Sequence, residues 1–125
     1  MVPNAWYGGS SNSLSKAMVA AYLKQYGGTP SDINADVAEA FSVGEVTAQA
    51  VAATKSFDGS KIMNYLHSNV TLQSVQGPVH FDSLGENVSA TIFVFQWVHG
   101  TFEQVLPTAD PGSAKVEFPK ADWGS

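Results

Sequence analysis

The spacing of apolar residues changes partway along this chain. Up to Leu66 they recur every three or four residues, whereas after Asn69 they alternate or run together and include many β-branched and aromatic side chains. The first pattern is typical of amphipathic helices and the second of strands. The sequence therefore predicts helices first and strands afterwards, an order that by itself suggests an α+β domain.

Three separate helices are predicted in the first part. The first runs from Asn12 to Tyr26, the second covers "DVAEAFSVGEVTAQAVAAT", and the third follows Asp58, which is suited to be its N-cap. In the second helix we expect the apolar residues of one stripe to face inward: Val37, Ala40, Phe41, Gly44, Ala48 and Val51. Gly44 and the alanines would let a neighbouring element approach this helix closely.

The second part predicts short strands in "TLQSVQ" and "PVHF" and a longer strand from Val88 to Val98. His99-Gly100 would then turn the chain into a return strand, "TFEQVLP". Because the longer strand is apolar on both alternating faces, we expect it to be covered on both sides. The tail after Pro107 is expected to extend over a surface.

Length and composition restrict the function. The 125 residues are enough for one domain, and their six basic side chains are scattered among eleven acidic ones, which gives a formal charge of −5. Nucleic acid is therefore not an expected partner, since phosphate binding needs concentrated positive charge. No apolar run has the length of a membrane span, and the first residues lack the pattern of a signal peptide. If the chain is a segment of a longer protein, we expect any export signal to lie upstream of it.

The sequence offers few groups for chemistry. It has no cysteine, and its histidines, His67, His80 and His99, lack the spacing of a helical metal pair. No nucleotide-binding motif or nucleophile–base pair can be assembled, so we predict no catalytic residue, no metal, no cofactor and no enzyme activity. Asp36 and Glu39 lie one turn apart at the start of the second helix. Acids are favoured there by the helix dipole, and a functional role is the alternative.

Five segments, in this order, resemble one protein family: "KAMVAAYLKQYGGTP", "ADVAEAFSVGEVTAQAV", "KIMNYLHS", "VQGPVHFDSLGEN" and "FVFQWVHGTFEQVLP". The family is that of the type I periplasmic solute-binding proteins of ABC importers, in its branched-chain amino acid and amide group of extracellular ligand-binding receptors. The resemblance covers about four-fifths of the chain and implies that the chain is the C-terminal segment of such a protein.

The fold implied by the resemblance is α/β, as part of a two-lobe type I periplasmic-binding-protein fold. Three helices would be followed by mostly antiparallel strands that cross from one lobe to the other. Residues 1–82 would be first-lobe helices and strand, residues 83–107 the last crossing and second-lobe strands, and residues 108–125 an extended tail. The helices would then pack on strands supplied by the N-terminal part.

The resemblance also implies site residues. Asp36 corresponds to a position that contributes to ligand binding, where its carboxylate would face the ammonium group of a ligand. Phe41 replaces the tyrosine usual in the family, and Trp6 corresponds to a loosely kept aromatic position, as apolar wall or as packing. Gly77, Pro78 and Gly85 would form the hinge, since they fix a backbone path between lobes.

The function implied is capture of an amino acid or a similar small polar solute for import, with an ABC permease as membrane partner. The whole protein would be periplasmic, or extracellular and membrane-anchored. Two alternatives remain open: a ligand-sensing ectodomain of the same fold, and a self-associating small α/β interaction domain. In the last case the exposed aromatic strand would need a partner, and we expect a homo-oligomer or a pairing with an N-terminal segment.

Overall fold

The computed structural model describes residues 2–10, 12–108 and 113–119. These residues form two compact units. We call residues 6–91 the helical unit, and residues 2–5 together with 92–119 the sheet unit. The chain passes from one unit to the other between Ala5 and Trp6 and again between Thr91 and Ile92. The predicted boundary between first-lobe and second-lobe residues, between residues 82 and 83, stays a prediction.

The elements follow one another as the apolar pattern predicts, with one additional strand at the start. In chain order they are β1 (Val2–Asn4), α1 (Ser13–Tyr26), a short 3-10 turn (Pro30–Asp32), α2 (Ala35–Thr54), α3 (Gly59–Leu66), β2 (Leu72–Ser74), β3 (Gly77–Val79), β4 (Phe93–Val98) and β5 (Thr101–Leu106). The three predicted helices are confirmed, the first two to within one residue at each end, while the third begins directly after Asp58 as predicted and ends at Leu66.

Each helix begins at a polar side chain that accepts a backbone N–H of the first turn. Asn12 Oδ1 accepts the N–H of Leu14 at 2.9 Å, and Asn34 Oδ1 accepts that of Val37 at 3.1 Å. Asp58 Oδ1 accepts the N–H of Lys61 at 3.0 Å, which confirms the predicted cap of α3. Such a cap typically contributes about 1 kcal/mol. Asn12 has a second role, since its Nδ2 donates to the carbonyl oxygens of Ser74 at 2.9 Å and Val75 at 3.3 Å.

The core of the helical unit forms around an indole ring. Its buried members are Trp6, Met18, Val19, Ile33, Ala38 and Val75, and Tyr22, Leu23 and Val37 pack against them. Trp6 Nε1 donates to Ser15 Oγ at 2.8 Å, so the polar atom of the largest core side chain is satisfied inside the core. This bond places Ser15 on the buried side of α1.

The side of α2 that faces the core differs from the prediction. Its buried residues are Ala38, Ser42 and Ala50, whereas Phe41 is 46% exposed. The β2–β3 hairpin lies beside the predicted stripe and not over it, since Glu45 Oε2 accepts the N–H of Val75 at 2.8 Å and Gln49 bonds to the backbone of Gln73. Within the described part of the chain, the predicted inward stripe is therefore an outward one from Ala40 to Ala48.

The sheet unit is a three-stranded antiparallel sheet in the order β1-β4-β5. Val2 pairs with Phe95, and Val98 pairs with Thr101 across the predicted turn. His99 and Gly100 both have positive φ, 47° and 81°, as a tight two-residue hairpin requires. The hairpin is confirmed, but β4 begins at Phe93, five residues later than the predicted strand.

Among the described residues the sheet is covered on both faces at its centre, where the neighbouring residues Phe95 and Gln96 are both buried, but not along the whole of β4, so the expectation holds only in part. Phe95 is buried and its ring stacks on Phe102 with centroids 4.9 Å apart, whereas Trp97 on the same strand is 53% exposed. Part of the remaining surface is crossed by residues 113–117, which form neither helix nor strand. They are held by Gln96, whose side-chain amide bonds to the backbone of Glu117. The rest of the predicted tail, residues 109–112 and 120–125, lies outside the described residues.

Candidate functional site

A groove of about 350 Å³ opens between α1 and α2 in the helical unit. Its lining comes from the second half of α1 and the first half of α2: Met18, Ala21, Tyr22, Gln25, Tyr26, Val37 and Phe41. On α1 these residues recur at intervals of three or four, so that they share one face, and Val37 and Phe41 lie one turn apart on α2. The volume is within the range of small-molecule sites.

Aromatic and aliphatic side chains form the walls of this groove. The rings of Tyr22 and Tyr26 lie 4.7 Å apart, centroid to centroid, at an interplanar angle of 49°. Met18 is buried beneath them, and Gln25 adds an amide that can donate and accept. The two phenol groups and the amide are the polar groups of the lining, and they suit a ligand that has both apolar and hydrogen-bonding parts.

The sequence-predicted ligand residues lie in different surroundings. Phe41 lines the groove, and Asp36 is an exposed residue in the first turn of α2, next to Val37 of the lining. Trp6 is only 1% exposed and is held in the core by its bond to Ser15. The structure thus brings Phe41 and Asp36 to one end of α2 and places Trp6 elsewhere. The ligand-binding roles of all three stay predictions.

The predicted hinge residues lie in two turns of the helical unit. Gly77 opens β3 with φ 110°, directly after the turn that joins β2 to β3, and Pro78 follows it on an exposed strand position. Gly85, with φ 84°, closes a turn in which its N–H donates to the carbonyl oxygen of Asp82 at 3.1 Å. Positive φ explains both glycines locally. Their role in a hinge stays a prediction.

The turn that begins at Asp82 is held by a carboxylate that the sequence did not single out. Asp82 Oδ1 accepts the N–H groups of Leu84 at 2.8 Å and Glu86 at 3.0 Å. The bond from Glu86 lowers the pKa of Asp82 below its usual value, and those from Leu84 and Gly85 add to the effect. The signal available in the sequence was "FDSLGEN", an aspartate followed by a glycine three residues later.

Metal-binding clusters and membrane-spanning helices are both absent from the described residues. Across residues 2–10, 12–108 and 113–119, no group of three or more His, Cys, Asp or Glu side chains is arranged to hold a metal ion. None of the helices in that same part of the chain is long and apolar enough to cross a membrane.

The same fold occurs in two solute-binding proteins of known structure. One is a leucine-binding protein, LivK, from Thermotoga maritima, with a TM-score of 0.65 and 21% sequence identity over 82% of this chain. The other is a solute-binding protein of an ABC transporter from Rhodopseudomonas palustris, in complex with 3,4-dihydroxybenzoic acid, with a TM-score of 0.59 and 18% identity over 80% of this chain. The chain spans 28% and 27% of the lengths of these two structures.

Comparison at the level of sequence gives no relatives. No protein-family description matches the chain. No curated protein matches it either. The structural likeness shows that the α/β fold of the chain is consistent with part of the type I periplasmic-binding-protein fold, as the sequence resemblance implied.

Proposed function

We propose that this chain is the C-terminal part of the solute-binding component of an ABC transporter, and that the whole protein captures an amino acid or a similar small polar solute for import. The observation that carries the proposal is the shared fold over 82% and 80% of the chain with two proteins described as binding leucine and dihydroxybenzoic acid. Both are binding proteins rather than enzymes. The whole protein would act in the periplasm or on the outer face of a membrane, and would deliver its solute to a permease.

In this proposal Asp36 and Phe41 contribute part of the ligand site. The exposed Asp36 carboxylate provides a negative group for the ammonium of an amino-acid-like solute, and a charge-assisted bond of this kind is among the stronger single contacts. Phe41 provides apolar wall beside it. The remaining contacts would come from residues outside this chain, because the chain spans 28% of the length of its leucine-binding neighbour.

The test begins with the protein that the source cell makes from this reading frame, identified by intact mass and N-terminal sequencing. Binding of a panel of amino acids to this natural protein is then measured by isothermal titration calorimetry. Asp36→Asn should weaken binding of the best ligand by roughly tenfold or more, since it removes the charge of one partner.

Glu39→Gln is the matched control, because Glu39 is a second exposed acid one turn along the same helix and should affect affinity little. If the natural protein binds no amino acid of the panel, the proposal is contradicted. Equal losses in the two variants would contradict the specific role of Asp36.

A further inference from the structure

The outward surface of α2 is apolar over most of its length. Between Glu39 and Lys55 the only charged residue is Glu45, and its carboxylate is engaged by the N–H of Val75. The exposed positions in this interval include two large apolar side chains, Phe41 and Val43. The others are small or uncharged: Ala40, Gly44, Thr47, Ala48, Ala52 and Ala53.

The two ends of α2 carry complementary features. At its N-terminal end are the apolar groove, through Val37 and Phe41, and the exposed acid Asp36. Just beyond its C-terminal end are the exposed Lys55 and Phe57, whose side chain is 89% exposed. One end therefore offers an apolar recess beside a negative charge, and the other an apolar ring beside a positive charge.

We propose that this surface binds a second copy of the same chain, with the two α2 helices antiparallel about a two-fold axis between Glu45 and Val46. A helix of 20 residues is about 30 Å long, so the antiparallel register brings each end of one helix to the opposite end of the other. Asp36 then faces Lys55 of the second copy. Phe57 of the second copy reaches the end of α2 at which the groove opens.

Charge selects this arrangement over the parallel one. In a parallel pair Asp36 would face Asp36 and Lys55 would face Lys55, whereas the antiparallel pair sets opposite charges together twice. At the centre Gly44 lies opposite Thr47 of the second copy, and side chains of this size allow the close approach of packed helices. Among the described residues, a Cβ added at Gly44 meets no atom within 4 Å, so the approach is open from the solvent side.

The first experiment measures the oligomeric state of this 125-residue chain by sedimentation equilibrium. Phe57→Ala and Gly44→Arg should each raise the dimer dissociation constant by roughly tenfold or more, as central or anchoring interface residues do. Neither change should disturb the monomer, because Phe57 is exposed and Gly44 has open space above it. Leu84→Ala is the matched control, since Leu84 is 82% exposed in the same unit but lies on the Asp82 turn and should leave the dimer unchanged.

A charge exchange tests the register. Asp36→Lys and Lys55→Glu should each weaken the dimer, and the two changes together should restore it, because lysine and glutamate then face each other across the interface. General loss of stability would not be repaired by combining the changes. Circular dichroism of each variant confirms that its helices are intact.

Four outcomes overturn the inference. The first two are a wild-type chain that stays monomeric at the highest soluble concentration and a dimer whose dissociation constant is unchanged by both Phe57→Ala and Gly44→Arg. The third is a double charge variant that dimerises no more tightly than the single variants, and the fourth is a longer natural protein in which preceding residues cover α2. The inference concerns a surface of the helical unit. Because Asp36 and the groove would face either a second copy or a solute, dimer formation and solute binding compete for that end of α2.

Discussion

The helical unit and the sheet unit each use a glutamine in the same way, but at different depths. In the helical unit, Gln49 Nε2 donates to the carbonyl oxygen of Gln73 at 2.7 Å, and its Oε1 accepts the N–H of Gln73 at 3.1 Å. In the sheet unit, Gln96 makes the same pair of bonds to Glu117, at 2.8 and 3.1 Å. Gln96 is buried and Gln49 is half-buried; Glu117, the partner of Gln96, is half-buried, whereas Gln73, the partner of Gln49, is exposed.

This difference indicates how each unit is held together. The helical unit has an apolar core around Trp6, and the bonds between Gln49 and Gln73 lie at the edge of the unit. In the described part of the sheet unit, the buried residues comprise two apolar ones, Phe95 and Val105, and two glutamines, Gln96 and Gln104. We therefore expect apolar truncation to damage the helical unit most and loss of a side-chain amide to damage the sheet unit most.

The largest effect is expected for Trp6→Ala. It removes the central core side chain and leaves a cavity, which should lower the free energy of unfolding by about 3–5 kcal/mol. Urea unfolding followed by the helical circular dichroism signal measures the loss. Trp97→Ala, at an exposed position of the sheet unit, is the control and should cost much less. Equal losses of unfolding free energy in the two variants would show that side-chain burial does not distinguish the helical unit from the sheet unit.

Gln96→Ala should have the next largest effect. It leaves the N–H and the carbonyl oxygen of Glu117 without their partner, at a cost of about 1–3 kcal/mol. Hydrogen exchange at the Glu117 amide should become faster in the variant. Gln96→Glu sharpens the result, because a carboxylate still accepts from the N–H but no longer donates to the carbonyl oxygen.

Gln49→Ala should cost less, about 1 kcal/mol or below, although it removes the same pair of bonds. The reason is that water can replace the amide at the exposed Gln73. Exchange at the Gln73 amide is the readout. If Gln49→Ala lowered the free energy of unfolding more than Gln96→Ala does, the expected order, in which the more buried glutamine contributes more, would be wrong.

The smallest effect is local and depends on pH. Because the folded pKa of Asp82 is below its ordinary value, its carboxylate stabilises the turn at neutral pH. That stabilisation declines as the pH falls below about 4 and through the lowered folded value. The protection of the Glu86 amide against hydrogen exchange, relative to the intrinsic rate at the same pH, should therefore fall in acid. Asp82→Asn keeps an acceptor oxygen but does not titrate, so its turn should lose this pH dependence.

The parts of the fold that depend on local sequence were predicted well. Asp58 as a cap and His99-Gly100 as a hairpin turn are decided within a few residues. The covered side of α2 was not, because it depends on the bond from Val75 to Glu45, which joins residues 30 apart. Strand β1 was missed for a similar reason, since three residues become a strand only by pairing with Phe93–Phe95.

The candidate site was predicted only in part. The resemblance pointed to Phe41, which lines the groove, and to Asp36 near it. The tyrosines of α1 carry a weaker signal, their spacing of four residues, which places Tyr22 and Tyr26 side by side. Gln25 gave no signal in the sequence, since only the position of α2 beside α1 makes it part of a lining.

Asn12 has a consequence for the order of folding. Its oxygen begins α1, while its nitrogen donates to the carbonyl oxygen of Ser74, 62 residues later in the chain. A helix start is normally a local event that needs only its own turn, but this side chain reaches its final position only once the hairpin has arrived. The first turn of α1 should therefore become fixed late, and the contact lengthens the loop that must close before the helical unit is complete.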